Sequence, residues 1–355
     1  MDKVSREFSD ALSAKLFSGA QLIYGKGERT LRRECFGTVQ SDPDSPKVGD
    51  YTLFDIASLT KPVATASLCM LAVEQGKLEV DAPVQSYLPE FKRDAAIRVV
   101  DLLQHQSGLP AWLPFYELIR GKGWDYPKIR SFLIEQIARA PTVVPIGGER
   151  IYSDLGFILL GFVLEKIHGQ RLETLFRERV AGPLGLAQTL FHPVNHPEQA
   201  APRDIAATEL CPWRGRLLWG EVHDDNASVM GGAAGHAGLF STALDLEKFA
   251  RTILAAMRGA STWLKAETCR SFLGREVFPK WGWDTVSPEA SQAGTRFARE
   301  ASVGHLAFTG CSLWLDFSDE KYLILLTNRV HPKRDNEGIK AFRPKIHDLV
   351  VETHL

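Results

Sequence analysis

Apolar side chains recur every fourth position at Phe8, Leu12 and Leu16, which predicts an amphipathic helix running to about Gly19. The period then shortens. Ala20–Tyr24 and Leu31–Phe36 are short, rich in strand-forming residues and separated by Gly25-Lys26-Gly27, the pattern of a hairpin. Past a Pro-containing loop over 41–46, Tyr51–Phe54 predicts another strand, and a helix follows from about Leu59 to Gln75, closed by Gly76. From about Val80 to Met230 the texture changes. Helical stretches at Ile97–Gln104, Ile129–Arg139, Leu155–Ile167 and Arg171–Val180 are joined by long loops that hold most of the prolines. Strand patterns return at Trp281–Val286, Val303–Phe308, Ser312–Phe317 and Lys321–Thr327, the last two joined by the turn Ser318-Asp319-Glu320, and a helix over Phe342–Thr353 closes the chain.

Strands at both ends with helices between them predict an α+β fold. Its sheet is antiparallel, because consecutive strands are joined by tight turns, and it is built from both chain ends with a mainly helical domain inserted. Residues 1–79 and 231–355 would form the sheet domain and residues 80–230 the insert.

Composition narrows the function classes. The 355 residues carry 42 Lys+Arg against 43 Asp+Glu, and this balance disfavours nucleic acid or an anionic membrane surface as partner. The longest apolar run, Phe157–Leu164, is far short of the roughly 18–20 residues that span a bilayer. The opening Met-Asp-Lys-Val-Ser-Arg-Glu-Phe-Ser-Asp has charges where an export signal has an apolar block, and Cys35, Cys69, Cys211, Cys269 and Cys311 are odd in number and form no CxxC pair. Both features predict free thiols and a cytoplasmic location.

Several chemistries lack their motif: GxSxG, a Walker A loop, GxGxxG and HExxH are all absent. His192 and His196 are four apart, but Pro193 and Pro197 prevent a helix from aiming both at one metal; no metal or cofactor is expected. The run Gly231–Gly238 lacks the Lys-Ser/Thr ending of a phosphate loop and reads as a tight loop leading into a helix capped by Ser241 or Thr242. Ser58-Leu59-Thr60-Lys61 is different. Residues three apart share a helix face, so the Lys61 amine can bond the Ser58 hydroxyl, and a serine needs such a neighbour to become a nucleophile. Lys61 would serve as its base if desolvation and the helix N-terminus lowered its pKa from about 10.4. Pro62 suits the first helical turn. A second SxxK, Ser318–Lys321, lies in a polar turn and reads as coincidence.

Ser58-Leu59-Thr60-Lys61, then Tyr152-Ser153-Asp154, then His305-Leu306-Ala307 before Phe308-Thr309-Gly310, together resemble the three boxes of the serine β-lactamase and penicillin-binding protein superfamily, especially its class C-like branch of esterases, D-amino-acid peptidases and amidases. Val99–Pro110, Tyr152–Gly161, Gly238–Ala243 and Phe308–Asp316 resemble the same branch, so the likeness runs from about Phe54 to His331. It implies a β-lactamase/transpeptidase-like α/β/α sandwich with the active serine at the junction with the helical insert. Ser58 would be acylated, Lys61 would be its proton partner, and Tyr152 would activate serine or water once the Lys61 cation lowered its pKa. Which of Lys61 and Tyr152 is the base stays open. The Ser58 and Phe308 amides would bind the oxyanion.

Two of the boxes depart from the pattern. Asp154 replaces the usual Asn, and its carboxylate favours the ammonium form of Lys61. His305-Leu306-Ala307 replaces Lys-Thr-Gly: His305 keeps a positive or hydrogen-bonding group, while Leu306 lacks the hydroxyl that binds a substrate carboxylate. The loop Val222–Ala227 resembles a segment of amidases that release peptides from N-acetylmuramic acid, and nominates His223 and Asp224 for substrate contact against the alternative of a polar surface turn. The resulting expectation is a serine hydrolase acting on a small-molecule ester or a peptide or muropeptide amide. A class C-like β-lactamase or DD-peptidase, and a silent scaffold on the same fold, are the alternatives.

Overall fold

The computed structural model describes residues 2–42, 44–192, 195, 204–289 and 291–354. Helix α1 (Lys3–Ser13) leads into the hairpin β1 (Gly19–Lys26) and β2 (Arg29–Gly37). The helical core contributes α2 (Ser67–Glu74), α3 (Tyr126–Arg139), α4 (Asp154–His168) and α5 (Ala243–Arg258). The chain closes with β3 (Asp284–Thr285), β4 (Ser302–Leu306), β5 (Ser312–Asp316), β6 (Lys321–Thr327) and α6 (Ile339–Glu352).

These strands form one six-stranded sheet in the order β2-β1-β6-β5-β4-β3, antiparallel at every pair, so the first strand of the chain lies beside the last. Side-chain alternation divides it into two apolar faces. Ala20, Leu22, Tyr24, Trp314, Leu323 and Leu325 meet Phe8 of α1 and Phe342 and Ile346 of α6. Ile23, Leu313, Leu315, Tyr322 and Ile324 meet the larger core that includes α2, α4 and α5. Burial on both faces explains why β6 reads as a continuous apolar run rather than an alternating one.

Several predicted boundaries shift; the Tyr51–Phe54 strand, for one, is found at Phe54–Asp55. Helix α1 stops at Ser13 instead of about Gly19, because Lys15 adopts a left-handed backbone (φ +55°). The Trp281–Val286 strand shrinks to two residues at the sheet edge. The predicted Val303–Phe308 strand ends at Leu306, since Ala307–Gly310 turn so that the Gly310 amide bonds the Ala307 carbonyl at 3.0 Å. His196 lies outside the described residues.

Helix α4 is apolar almost all round, as befits a helix buried on every side. Ser153 caps its first turn, accepting from the Gly156 amide at 3.4 Å, and Gly169 ends it at φ +66°. The loop 231–238 packs flush against it: a Cβ on Gly235 would sit 2.0 Å from the Phe157 carbonyl oxygen, so a larger residue would push the loop off the helix.

Gly304 in β4 is just as constrained, since a Cβ there would lie 2.2 Å from the ring of Trp314 on β5. Gly304→Ala is expected to cost about 1–3 kcal/mol through overpacking. Urea unfolding checks this, with a lower midpoint at unchanged slope as the expected result.

Candidate active site

The SxxK segment is not a uniform helix. Ala57–Leu59 make a 3₁₀ turn, Lys61–Ala66 a wider π-type stretch, and only then does α2 begin. Such irregular turns are frequent at functional sites. Ala57, just before Ser58, is held at φ +40°, a conformation that costs a non-glycine residue on the order of 1–3 kcal/mol. Its amide donates to Asp55 Oδ1 at 2.8 Å, and its carbonyl accepts from Thr60 Oγ1 at 2.5 Å.

Lys61 has no solvent exposure. Its Nζ lies 3.0 Å from Ser58 Oγ, 3.0 Å from the His236 carbonyl oxygen and 2.7 Å from Asp154 Oδ1, which matches the three donors of an ammonium to three acceptors. Burial works toward the neutral amine, but Asp154 and Tyr152 outweigh it and hold the Lys61 pKa above the ordinary lysine value. The condition under which Lys61 would serve as base, a pKa lowered by desolvation, is not met, while Asp154 favours the ammonium.

Tyr152 lies above that ammonium, with Nζ 4.9 Å from its ring centre. The reach of the 152–154 box is set by His105, whose Nδ1 accepts the Ser153 amide at 2.9 Å and whose carbonyl accepts the Ile151 amide at 2.9 Å. Ser153 Oγ adds a bond to the Pro110 carbonyl at 2.7 Å, so the Gln104–Pro110 segment serves as a bracket for the box. The pKa of Tyr152 departs from expectation. Although 36% of the residue remains exposed, loss of hydration pushes the phenol up to about 12 and the pull of Lys61 does not reverse it.

His305 enters from β4, 1% exposed, its ring 5.8 Å from that of Tyr152. Nδ1 meets the Leu306 carbonyl at 2.9 Å, and Nε2 is buried without a partner among the described residues. Burial lowers its pKa despite Asp284 nearby, which favours the hydrogen-bonding role of His305 over the positive one, the two roles expected of it. Phe308 sits in the turn beyond the strand, half exposed, its ring between His223 (5.6 Å, stacked) and the Arg329 guanidinium (4.3 Å). The Thr309 hydroxyl points away into the core and bonds the Asp55 carbonyl at 2.7 Å.

His223 and Asp224 do not form a polar surface turn. His223 is 3% exposed with Nε2 3.2 Å from Glu209 Oε2, and Asp224 caps the short helix Asp225–Val229 while accepting from His236 Nε2 at 2.9 Å. Both line the same cleft as Ser58, about 680 Å³ in volume and walled further by Trp112, Tyr152, Phe308 and Arg343. Asp154, Asp224 and His236 offer ligand atoms within 4.8 Å of one another, but Asp154 is already ion-paired to the Lys61 ammonium and Asp224 bonded to the His236 ring, and the ammonium repels any metal cation.

His236, Asp55 and Arg343 were not singled out by sequence. His236 contributes a main-chain carbonyl, which no residue-type pattern reveals, and the glycine run around it reads from sequence only as a tight loop. Arg343 is 4% exposed, donates to the Gly310 carbonyl (3.1 Å) and Gln292 Oε1 (3.0 Å), and has no carboxylate in ion-pair reach among the described residues. Its Nε has no partner there, and burial lowers its pKa to about 10, still cationic at neutral pH.

A family model for beta-lactamases matches residues 4–344. The chain belongs to the beta-lactamase family. Within it, the chain is 32% identical over 337 residues to a putative D-alanyl-D-alanine carboxypeptidase of Escherichia coli (strain K12), covering 88% of this chain and 76% of that one. It is also 32% identical over 346 residues to an N-acetylmuramyl-L-alanine amidase of Bacillus subtilis (strain 168), covering 89% and 78%. Two solved structures share the fold at 20% identity. EstCE1, a hydrolase with promiscuous acyltransferase activity, gives a TM-score of 0.72 over 96% of this chain and 97% of that one. The octameric penicillin-binding protein homologue from Pyrococcus abyssi gives 0.75 over 99% and 78%. This beta-lactamase-family chain is thus a serine hydrolase, and its ordered boxes meet in one cleft.

Asp154 raises the pKa of both Lys61 and Tyr152, so Asp154→Asn should lower both and increase the deprotonated fraction at a given pH. The expected result is a pH–rate profile for ester hydrolysis whose rising limb moves to lower pH by about one unit or more, measured on folded variant. A loss of stability of about 3–5 kcal/mol is expected alongside it, because any remaining ammonium is left buried and unpaired.

Proposed function

We propose that the enzyme forms an acyl-enzyme on Ser58 and hydrolyses an amide or ester bond in a substrate bearing a carboxylate, with a muropeptide-type peptide amide as the preferred class. The carrying observation is the Ser58 hydroxyl at the cleft wall, 3.0 Å from a fully buried Lys61 that is ion-paired to Asp154.

In this reading Lys61 remains an ammonium throughout. It orients Ser58 Oγ and stabilises the negative charge that appears on Tyr152 when the phenolate forms. The phenolate takes the serine proton as Oγ attacks the carbonyl, and the tetrahedral oxyanion is received by the Ser58 and Phe308 amides. Tyr152 then protonates the departing amine or alcohol, and water, deprotonated by the same phenolate, releases the acid. A phenol near 12 makes the phenolate scarce at neutral pH, so activity rises with pH through the neutral and alkaline range.

The substrate class rests on charge. Acidic groups along the cleft have cationic or histidine partners: Asp154 with Lys61, Asp224 with His236, Asp284 with Arg150, and Asp225 with Arg334. Arg343 alone among the cleft cations has no acidic partner among the described residues, and it lies on the wall formed by α6. The relatives named for D-alanyl-D-alanine carboxypeptidase and N-acetylmuramyl-L-alanine amidase activity support peptide substrates with free carboxylates. A neutral His305 and an aliphatic Leu306 in place of Lys-Thr weigh against efficient β-lactam turnover. The cleft would lie where the sheet domain, 1–79 and 231–355, meets the 80–230 insert. The active protein is expected in the cytoplasm, acting on recycled fragments; among the described residues no helix is long and apolar enough to cross a membrane.

Ser58→Ala should abolish hydrolysis of p-nitrophenyl acetate and of a muramyl peptide while leaving the circular dichroism spectrum unchanged; undiminished turnover would refute the mechanism. Arg343→Met should shrink the preference for a carboxylated peptide amide over its methyl ester by about 10–100-fold, the equivalent of one charge-assisted hydrogen bond. Ratios of kcat/KM for the two substrates measure it.

A further inference from the structure

Asp55 is 2% exposed and stands three residues before Ser58, on the short strand Phe54–Asp55 that pairs with Leu239–Ser241. It touches neither the cleft nor Ser58, yet it is bonded to three segments that do line the cleft. Oδ1 accepts the amide of Ala57, the positive-φ residue preceding the nucleophile, at 2.8 Å. Oδ2 accepts the His223 amide at 2.7 Å, and the His223 ring in turn stacks on Phe308. The Asp55 main-chain carbonyl accepts from Thr309 Oγ1 at 2.7 Å, within the turn that carries Phe308.

The rest of that turn is held with equal economy. The Phe308 carbonyl accepts from Arg329 Nε at 2.6 Å, the Thr309 carbonyl from the Arg329 amide at 3.0 Å, and the Gly310 carbonyl from Arg343 at 3.1 Å. These bonds brace the carbonyl side of the turn, and the Thr309 hydroxyl ties it to the segment that carries Ser58. Oxyanion stabilisation depends on donors fixed in advance at the position where charge develops.

We propose that Asp55 is a positioning residue that sets the spacing between the Ser58 and Phe308 amides, one arm fixing the strained turn before Ser58 and the other the turn around Phe308. The inference rests on the acyl-enzyme reading and adds to it the residue that makes the two oxyanion donors act as a pair. Burial raises the pKa of the Asp55 carboxyl while the two amide donors favour its charged form, so a neutral amide in its place loses part of both contacts. An asparagine accepts one amide through its oxygen and sets its own NH₂ against the other.

The test compares wild type, Asp55→Asn and Thr309→Val using a chromogenic ester and a phenylboronic acid. The boronate forms a bond from Ser58 Oγ to boron as the serine proton leaves, giving an anionic tetrahedral adduct that occupies the oxyanion position. Expected for both variants is a fall in kcat of about 10–100-fold with KM changed less than about threefold, and a fall in boronate affinity by the same factor as kcat/KM. A role confined to stability would lower the unfolding midpoint and leave both quantities at wild-type values per folded molecule, which would overturn the proposal. So would a rise in KM without loss of boronate affinity. Should Asp55→Asn not be recovered folded, Thr309→Val, which removes one hydroxyl and keeps the side-chain volume, decides the matter alone. Failure of wild type itself to bind the boronate or to be labelled on Ser58 by a fluorophosphonate refutes the acyl-enzyme reading instead.

Discussion

An ammonium group with no solvent exposure is the constraint around which this active-site region is organised. Removing the Lys61 charge from water without compensation would cost several kcal/mol, and the protein meets that cost by bringing three separate acceptors to one nitrogen. Ser58 comes from the same turn, Asp154 from the start of α4, and the His236 carbonyl from the glycine-rich loop. These segments lie far apart in sequence and have to converge for Lys61 to be buried at all. The glycines of the loop follow from this. A side chain at Gly235 would strike the Phe157 carbonyl, lifting the loop and taking the third acceptor away from the ammonium.

The same charge balance sets the resting protonation states of the candidate site. Lys61 is held cationic by Asp154, and the Tyr152 phenol is held neutral by lost hydration, so neither group is poised as a ready base in the resting enzyme. Their proximity still matters. Each favours the charged form of the other, so the phenolate forms most easily next to an ammonium that cannot move away. A mobile, solvated lysine would lose this advantage, because water would screen it and side-chain rotation would remove it.

The sequence made the side-chain chemistry legible and the backbone chemistry much less so. Ser58, Lys61 and Tyr152 were recognisable because their order and spacing are distinctive, and the structure brings them into contact range. The sheet from both chain ends was readable from tight turns and short β-rich runs, and the antiparallel order follows it. His236 acts through a carbonyl and Asp55 through bonds to main-chain amides, contributions that a side-chain pattern does not record. The protonation of Tyr152 and His305 is hard to read from sequence for a related reason: burial, a property of the whole fold, is the largest influence on each, and it raises the Tyr152 pKa against the pull of Lys61 and lowers that of His305. The strand predicted over Val303–Phe308 ends instead at Leu306, because Ala307–Gly310 turn and the Thr309 side chain bonds inward to the Asp55 carbonyl.

That early end to the strand also moves the positive charge of the cleft. The strand contributes a neutral His305 and an aliphatic Leu306, so the unpaired cation comes from α6, where Arg343 is braced by the Gly310 carbonyl and Gln292. A guanidinium differs from an ammonium in this position, since its planar fork can hold the turn with one nitrogen and leave Nε unpartnered. Arg343 thereby connects the carbonyl side of the Phe308 turn with the wall that a substrate anion would meet. Because Nε is itself buried, an anion drawn to this wall has to share an outer guanidinium nitrogen with the Gly310 carbonyl or Gln292 Oε1, so binding there and bracing of the Phe308 turn are coupled.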